Sequence, residues 1–213
     1  IYAILSRVSH VRKSEKSYNS EIGLPLTILG IPNGWNNPVV WLKNILKGSW
    51  LFLIPHKYPK WLVLEVGVGK PDDMRRTASW LSSDVVIITG IGETPAHIEF
   101  FDSPKNIIEE KSKLIKTLKK NGLLILNADD EDVLQMKTKS KNRTITYGFK
   151  ENVDILSSGD SIFYDDRGLP QGVIFRIDSE GKSLPVVIEG VFGRNHVYAA
   201  LGALALSSGL KFN

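Results

Sequence analysis

The sequence predicts an α/β protein: a doubly wound, mostly parallel sheet with flanking helices and a small antiparallel subsheet near the C-terminal end. Three apolar runs, WLVLEV (61–66), DVVIIT (84–89) and GLLILN (122–127), are rich in Val, Ile and Leu without polar alternation, the pattern of strands covered on both faces. The segments between them, KPDDMRRTASWL and SPKNIIEEKSKLIKTLKKNG, carry helix signals, which gives β-α-β-α-β and hence an open parallel sheet. After TITYGF (144–149) the texture changes to alternating segments around Gly and Asp, as expected of antiparallel hairpins.

In chain order, IYAILSRVSH reads as a helix without a capping residue before it. With Ile1 at its head and GLKFN at its tail, the sequence is expected to be a fragment of a longer protein. IPNGWNNP reads as a loop, and PVVWLKNILKG as an amphipathic helix closed by Gly48. Pro71 and two aspartates suit the first turn of the next helix. The helix after it has Ser103 as N-cap, Pro104 at its first position, lysines in its last turn and Gly122 just beyond. Its apolar stripe is Ile107, Ile108, Leu114, Ile115 and Leu118. Lys111 falls in the middle of that stripe, four after Ile107 and three before Leu114. Further on, Asp166-Arg167-Gly168 and Ser179-Glu180-Gly181 read as turns, and GRNHVYAALGALALSSG as a helix apolar nearly all round and therefore buried.

The bulk properties bound the reading. With 213 residues and 42% hydrophobic content, the chain can bury one substantial core, so a single domain spanning 1–213 is expected. The absence of cysteine excludes a disulfide framework and thiolate metal sites and fits a reducing compartment, the cytoplasm. No apolar run reaches the roughly 20 residues of a membrane span, so no membrane partner is expected. The net charge of +4 is spread out, densest in EEKSKLIKTLKK and KTKSKNR. No aromatic-interleaved basic stripe accompanies it, so no nucleic-acid partner is expected.

Ligands of open α/β sheets bind outside the carboxyl ends of the strands. Those ends deliver Glu65, then Thr89 with the Glu93–His97 loop, then Asn127 with Asp129 and Asp130. Each has a second reading: Glu65 as a strand-end carboxylate bonded to a turn, His97 as an exposed histidine, Lys111 as a lysine snorkelling to water, and NADDED as a strand-to-helix turn with an Asp cap. GVGKP (67–71) and EGKS (180–183) resemble phosphate loops superficially, but both lack the required Gly, and the first has Pro71 in place of Ser or Thr.

The ordered set SYNSEIGLPLTILG, LVLEVGVGKPDDM, DVVIITGIGETPAHIEFFDSPKNIIEEKSKLI, LLILNADDED and GRNHVYAALGALAL resembles the central ATP-binding domain of the Mur ligase family, nearest the branch that adds D-alanyl-D-alanine to the UDP-N-acetylmuramoyl tripeptide. The resemblance implies ATP and Mg2+ as cofactors, and a UDP-MurNAc-peptide and a D-amino-acid dipeptide as substrates. It implies amide formation through an acyl-phosphate. It also implies metal ligation by Glu65 and His97, carbamylation of Lys111, adenine-side contact by Asn127, nucleotide contact by Asn195 and His196, and a substrate-side place for Asn19. The family's phosphate loop and its N- and C-terminal domains are expected outside the chain. Where the family usually reads Gly-Arg-His-Asn, this chain has Gly193-Arg194-Asn195-His196, with Ala199 at the following asparagine position. Ser17 stands where Asn is common, and GETPAH is longer than the usual loop. Two other readings stay open: a related ligase of folate or cyanophycin type, and a catalytically degenerate nucleotide-binding or scaffold module.

Overall fold

A computed structural model describes residues 1–14, 18–92, 95–179 and 181–212. Its main sheet has six strands in the spatial order β3-β4-β5-β6-β7-β8: β3 (Ser83–Ile88), β4 (Leu118–Asn127), β5 (Arg143–Gly148), β6 (Ile155–Tyr164), β7 (Pro170–Ser179) and β8 (Lys182–Glu189). The first four run parallel and the last two continue antiparallel. The mostly parallel sheet with an antiparallel extension is the architecture the sequence predicts. The C-terminal strands are longer than short hairpins, at ten, ten and eight residues. Asp165 and Gly168 form the β6–β7 turn, where the Asp165 carbonyl accepts from Gly168 N at 2.9 Å; Glu180 lies outside the described residues.

Two apolar layers sandwich the sheet, and the alternation of β4 shows how. Leu123 and Ile125 face a cluster with Val197, Leu201, Ala205 and Leu206 of helix α7 (Arg194–Leu210) and with Leu5 of helix α1 (Tyr2–Val8). Leu124 and Leu126 face the opposite cluster, with Ile115 and with Val133 of helix α6 (Glu131–Gln135). A strand buried on both faces has no reason to alternate polar and apolar residues, and all four of these side chains are buried. The expected burial of the last helix is met on its sheet-facing side.

Three expectations are corrected. The run at 61–66 is a strand only over β2 (Trp61–Val63), and its hydrogen bonds go to β1 (Val11–Lys13), not to β3. β2 and β3 are therefore unpaired, with one cavity opening by Trp61 and Asp84 and another by Val66–Val68 and Ile87–Thr89. The helix after Ser103, α5 (Pro104–Ser112), tightens into a 3-10 turn at Lys113–Thr117, and Gly122 lies inside β4 rather than beyond a helix end. The reason is lateral: Leu118 already pairs with Ser83, so the chain turns extended before its lysines are spent. Finally, Gly48 does not close its helix. After α2 (Gly23–Leu29), helix α3 runs Pro38–Leu53, capped at its start by Asn37, whose side chain accepts from Val39 N and Val40 N.

Tyr147 lies at the centre of the α7 interface, fully buried, its ring against Gly202 and its hydroxyl without a hydrogen-bond partner among the described residues. Burial pushes its phenol far above the ordinary range. A buried hydroxyl without a partner costs stability, so Tyr147→Phe is expected to leave urea-denaturation stability unchanged or raise it by about 1 kcal/mol. A loss of more than that would show the hydroxyl has a partner.

Candidate functional site

The turn Asn127–Asp130, at the carboxyl end of β4, ties together the surrounding strand ends. Asn127 donates through Nδ2 to Thr89 O at 2.9 Å, fixing the end of β3, and its Oδ1 accepts from Asp129 N at 3.0 Å. Asp129 accepts from Phe149 N at 2.7 Å, Lys150 N at 2.9 Å and the Tyr198 hydroxyl at 2.8 Å, joining the end of β5 to α7. Burial first, and then that bond to an anion, push the Tyr198 phenol up to about 12. Asp130 caps α6 through Val133 N at 3.1 Å and accepts from Ile91 N at 2.7 Å and Gly92 N at 3.2 Å. Its partial burial alone would raise its carboxyl, but the amides of Ile91, Val133 and Gly92 outweigh that and hold it below the usual carboxylate range. The polar loop after β3 is thus anchored by the next strand's turn.

Beside that loop opens a cavity of about 600 Å³ between the carboxyl ends of β2 and β3. Asn19, His97 and Lys111 line it, with Gly67–Lys70 and Thr89–Gly90. Glu65 is exposed and sits beside the lining, its Oε1 accepting from Asn19 Nδ2 at 3.3 Å. The backbone reinforces the pairing, since Gly67 N donates to Asn19 O at 2.9 Å. His97 takes a left-handed backbone (φ 68), a conformation His tolerates better than most residues. Its half-exposed ring lies 6.4 Å from that of Phe100, centroid to centroid.

Lys111, on the inward stripe of α5, is half-buried and makes no ion pair among the described residues. Burial lowers its ammonium pKa, and the more distant Asp130 charge only partly opposes that. This cavity thus lines up three of the seven candidate residues, Asn19, His97 and Lys111, with Glu65 tied to its edge through Asn19. Asn127 serves the rim as a strand clamp. Asn195 and His196 lie in the exposed first turn of α7, outside the cavity lining. Ser17, Glu93 and Thr94 lie outside the described residues. Among the described residues no three His, Cys, Asp or Glu side chains gather as a metal cluster.

Two carboxylates that shape the cavity escaped the sequence reading. Glu110 is buried, and its Oε1 accepts from Met74 N at 2.9 Å and Arg75 N at 3.2 Å, capping α4 (Asp73–Ala78) from a neighbouring helix; Lys113 pairs with its other oxygen at 2.6 Å. Asp73 accepts from Gly69 N at 3.0 Å and Lys70 N at 2.9 Å, folding the glycine turn after Glu65. Glu110 lies three residues after buried Ile107, so an acid on the buried side of that helix was a visible signal. Asp73 looked like an ordinary first-turn acid.

Fold and rim define an α/β domain of the kind that binds its ligand outside the carboxyl ends of parallel strands. The chain belongs to the Mur ligase family, whose middle-domain model matches residues 44–207. It is 25% identical over 208 residues to a Bacillus subtilis UDP-N-acetylmuramoyl-tripeptide–D-alanyl-D-alanine ligase, covering 96% of this chain and 36% of that one. To the Synechocystis sp. enzyme of the same name it is 29% identical over 215 residues, covering 100% and 38%. The chain thus spans less than two fifths of these relatives' length. By structure it resembles MurF from Acinetobacter baumannii (TM-score 0.75, 20% identity, 100% of this chain and 39% of that one) and a Thermotoga maritima MurF ligase solved with ADP (TM-score 0.74, 22%, 100% and 42%). At that identity the structural likeness shows the fold.

Removing the Asp130 carboxylate should loosen the loop after β3 before it unfolds the domain. Asp130→Ala is expected to cost about 1–2 kcal/mol at pH 7 and to speed amide exchange at Ile91 and Gly92. Because the folded pKa is depressed, this contribution is present above the unfolded value of about 3.9 and is lost as pH falls through the lower folded value. The gap between wild type and variant in urea denaturation should therefore close below about pH 4. A gap that persists there, or unchanged exchange, would refute the anchoring role.

Proposed function

We infer that the chain is the central domain of an ATP- and Mg2+-dependent amide ligase of peptidoglycan precursor synthesis, one that joins D-alanyl-D-alanine to a UDP-N-acetylmuramoyl tripeptide. The observation that carries this reading is a half-buried amine, Lys111, sharing one cavity with His97 and with the Asn19 that bonds Glu65. The family membership and the relatives' printed activity support it further.

The donor set fits a magnesium site in kind. Glu65 offers oxygen, the preferred ligand of Mg2+, and His97 an imidazole; the third donor is assigned to Lys111 after carbamylation. The ammonium first gives up one proton to water; the neutral Nζ lone pair then attacks the carbon of CO2, a C–N bond forms as one C=O π pair moves onto oxygen, and a second proton leaves nitrogen to water, so that a cation becomes an anionic oxygen donor. Burial favours the neutral amine the step requires. Asn19 holds the Glu65 carboxylate, Asp73 and Glu110 fix the turn and helix behind it, and Asp130 holds the loop leading to His97. ATP would supply the phosphoryl group that activates the substrate carboxylate as an acyl-phosphate, and Mg2+ would offset charge on the phosphate oxygens. Asn127, Asn195 and His196 are assigned to the nucleotide side, Asn127 through its hold on the strand ends. The UDP-sugar and the dipeptide are assigned to further N- and C-terminal domains of the same protein, and the cytoplasm to its site of action.

In the full-length protein, phosphate release should require ATP, Mg2+, the UDP-MurNAc tripeptide and D-alanyl-D-alanine together. Lys111→Ala should lower turnover by about 10²–10³-fold, with partial recovery in a short-chain carboxylate buffer. His97→Asn, which tolerates the left-handed backbone, should raise the Mg2+ requirement without loss of folding. Equal turnover with another acceptor amine would displace the dipeptide assignment, and full activity of Lys111→Ala would end the carbamate assignment.

A further inference from the structure

Helix α3 is amphipathic the wrong way round for a helix packed on a core. Its inward side is held by polar and backbone contacts: buried Asn44 donates to Pro32 O at 2.7 Å, Lys47 to Gly30 O at 3.1 Å, and the Trp41 indole to Trp35 O at 2.9 Å. Val39, Leu42, Leu46, Trp50 and Leu53 follow one another at spacings of three and four, which puts them on one face, and all five are exposed. Ile45 and Phe52 border them, and Phe52 is 89% and Leu53 73% exposed. Scattered exposed apolar residues need no explanation, but a continuous stripe of this kind marks a surface that something covers.

The charge around the stripe says what covers it. From Ile22 to Leu64 the sequence contains no Asp or Glu and has four lysines, Lys43, Lys47, Lys57 and Lys60, so this segment carries +4, as much as the formal net charge of the whole chain. Four of the five tryptophans, Trp35, Trp41, Trp50 and Trp61, fall in it as well. Lys43 and Lys57 are exposed and make no ion pair among the described residues. A bare aliphatic face flanked by lysines, with indoles and no acids, is the composition of a helix that lies in the plane of an anionic lipid surface. Among the described residues no helix is long and apolar enough to cross a membrane, so the contact is one of lying on the bilayer rather than spanning it.

We propose that α3 and the lysines beside it form a peripheral docking face for an anionic phospholipid bilayer, with the outer stripe seated among the acyl chains and Lys43 and Lys57 against the headgroups. This face is separate from the cavity residues, so it stands or falls independently of the ligase reading. The test is sedimentation of the full-length protein with vesicles of phosphatidylcholine alone and with phosphatidylglycerol added. Binding is expected to be at least about tenfold stronger to the anionic vesicles. Leu42→Gln, Leu46→Gln and Leu53→Gln combined should reduce it by about a hundredfold or more with thermal stability nearly unchanged, because those side chains are mostly exposed. Lys43→Gln and Lys57→Gln should each reduce it about fivefold. Equal binding to both vesicle types, or binding that survives the triple substitution, overturns the proposal. So does a Trp50 shielded from acrylamide quenching in the vesicle-free full-length protein, which would mean that another domain or a second copy covers the helix.

Discussion

One turn of four residues, Asn127 to Asp130, holds the working edge of this domain together. Its side chains and caps reach the end of β3, the loop after it, the end of β5, the start of α6 and the first turns of α7. Strand ends at a sheet's carboxyl edge have unpaired backbone groups that water would otherwise satisfy. Here a carboxylate or amide meets them instead, which makes the edge rigid enough to present side chains at fixed positions. Asp129 and Asp130, the acids that follow this strand end, serve as anchors.

That rigidity frees a few groups to be left less well satisfied. Lys111 sits on a buried stripe and has no carboxylate within ion-pair range among the described residues, whereas its neighbour Glu110 is fully engaged with two amides and a lysine. A half-buried amine is costly as a cation, and the helix keeps it because α5 is pinned through Ile107 and Glu110. The cleft beside it exists because β2 spends its hydrogen bonds on β1 and leaves β3 to begin a separate sheet. Unpaired layers with apolar walls leave room for a ligand that a continuous sheet would fill.

Helix α3 follows the opposite logic. Its few anchoring bonds face inward and its aliphatic side chains face out. Among the described residues they join none of the core clusters, and the proposed bilayer contact would cover them.

The sequence by itself determined the layers. Unbroken apolar runs demand cover on both faces, and the alternation of Leu123 to Leu126 between two cores is the direct result. It also fixed the Ser103 cap, the Pro104 start, the inward position of Lys111 and the gathering of polar residues at strand ends, because each depends on local periodicity or backbone chemistry. Only the tertiary structure decided which strand pairs with β2, where α5 gives way to β4, that α3 continues past Gly48 with its apolar side outward, and that Glu110 and Asp73 fold the turns around the cavity. The β2 and β4 pairings and the Glu110 cap turn on partners tens of residues away, which no window of sequence contains, and the Asp73 turn and the exposed side of α3 depend on how those distant contacts place their neighbours.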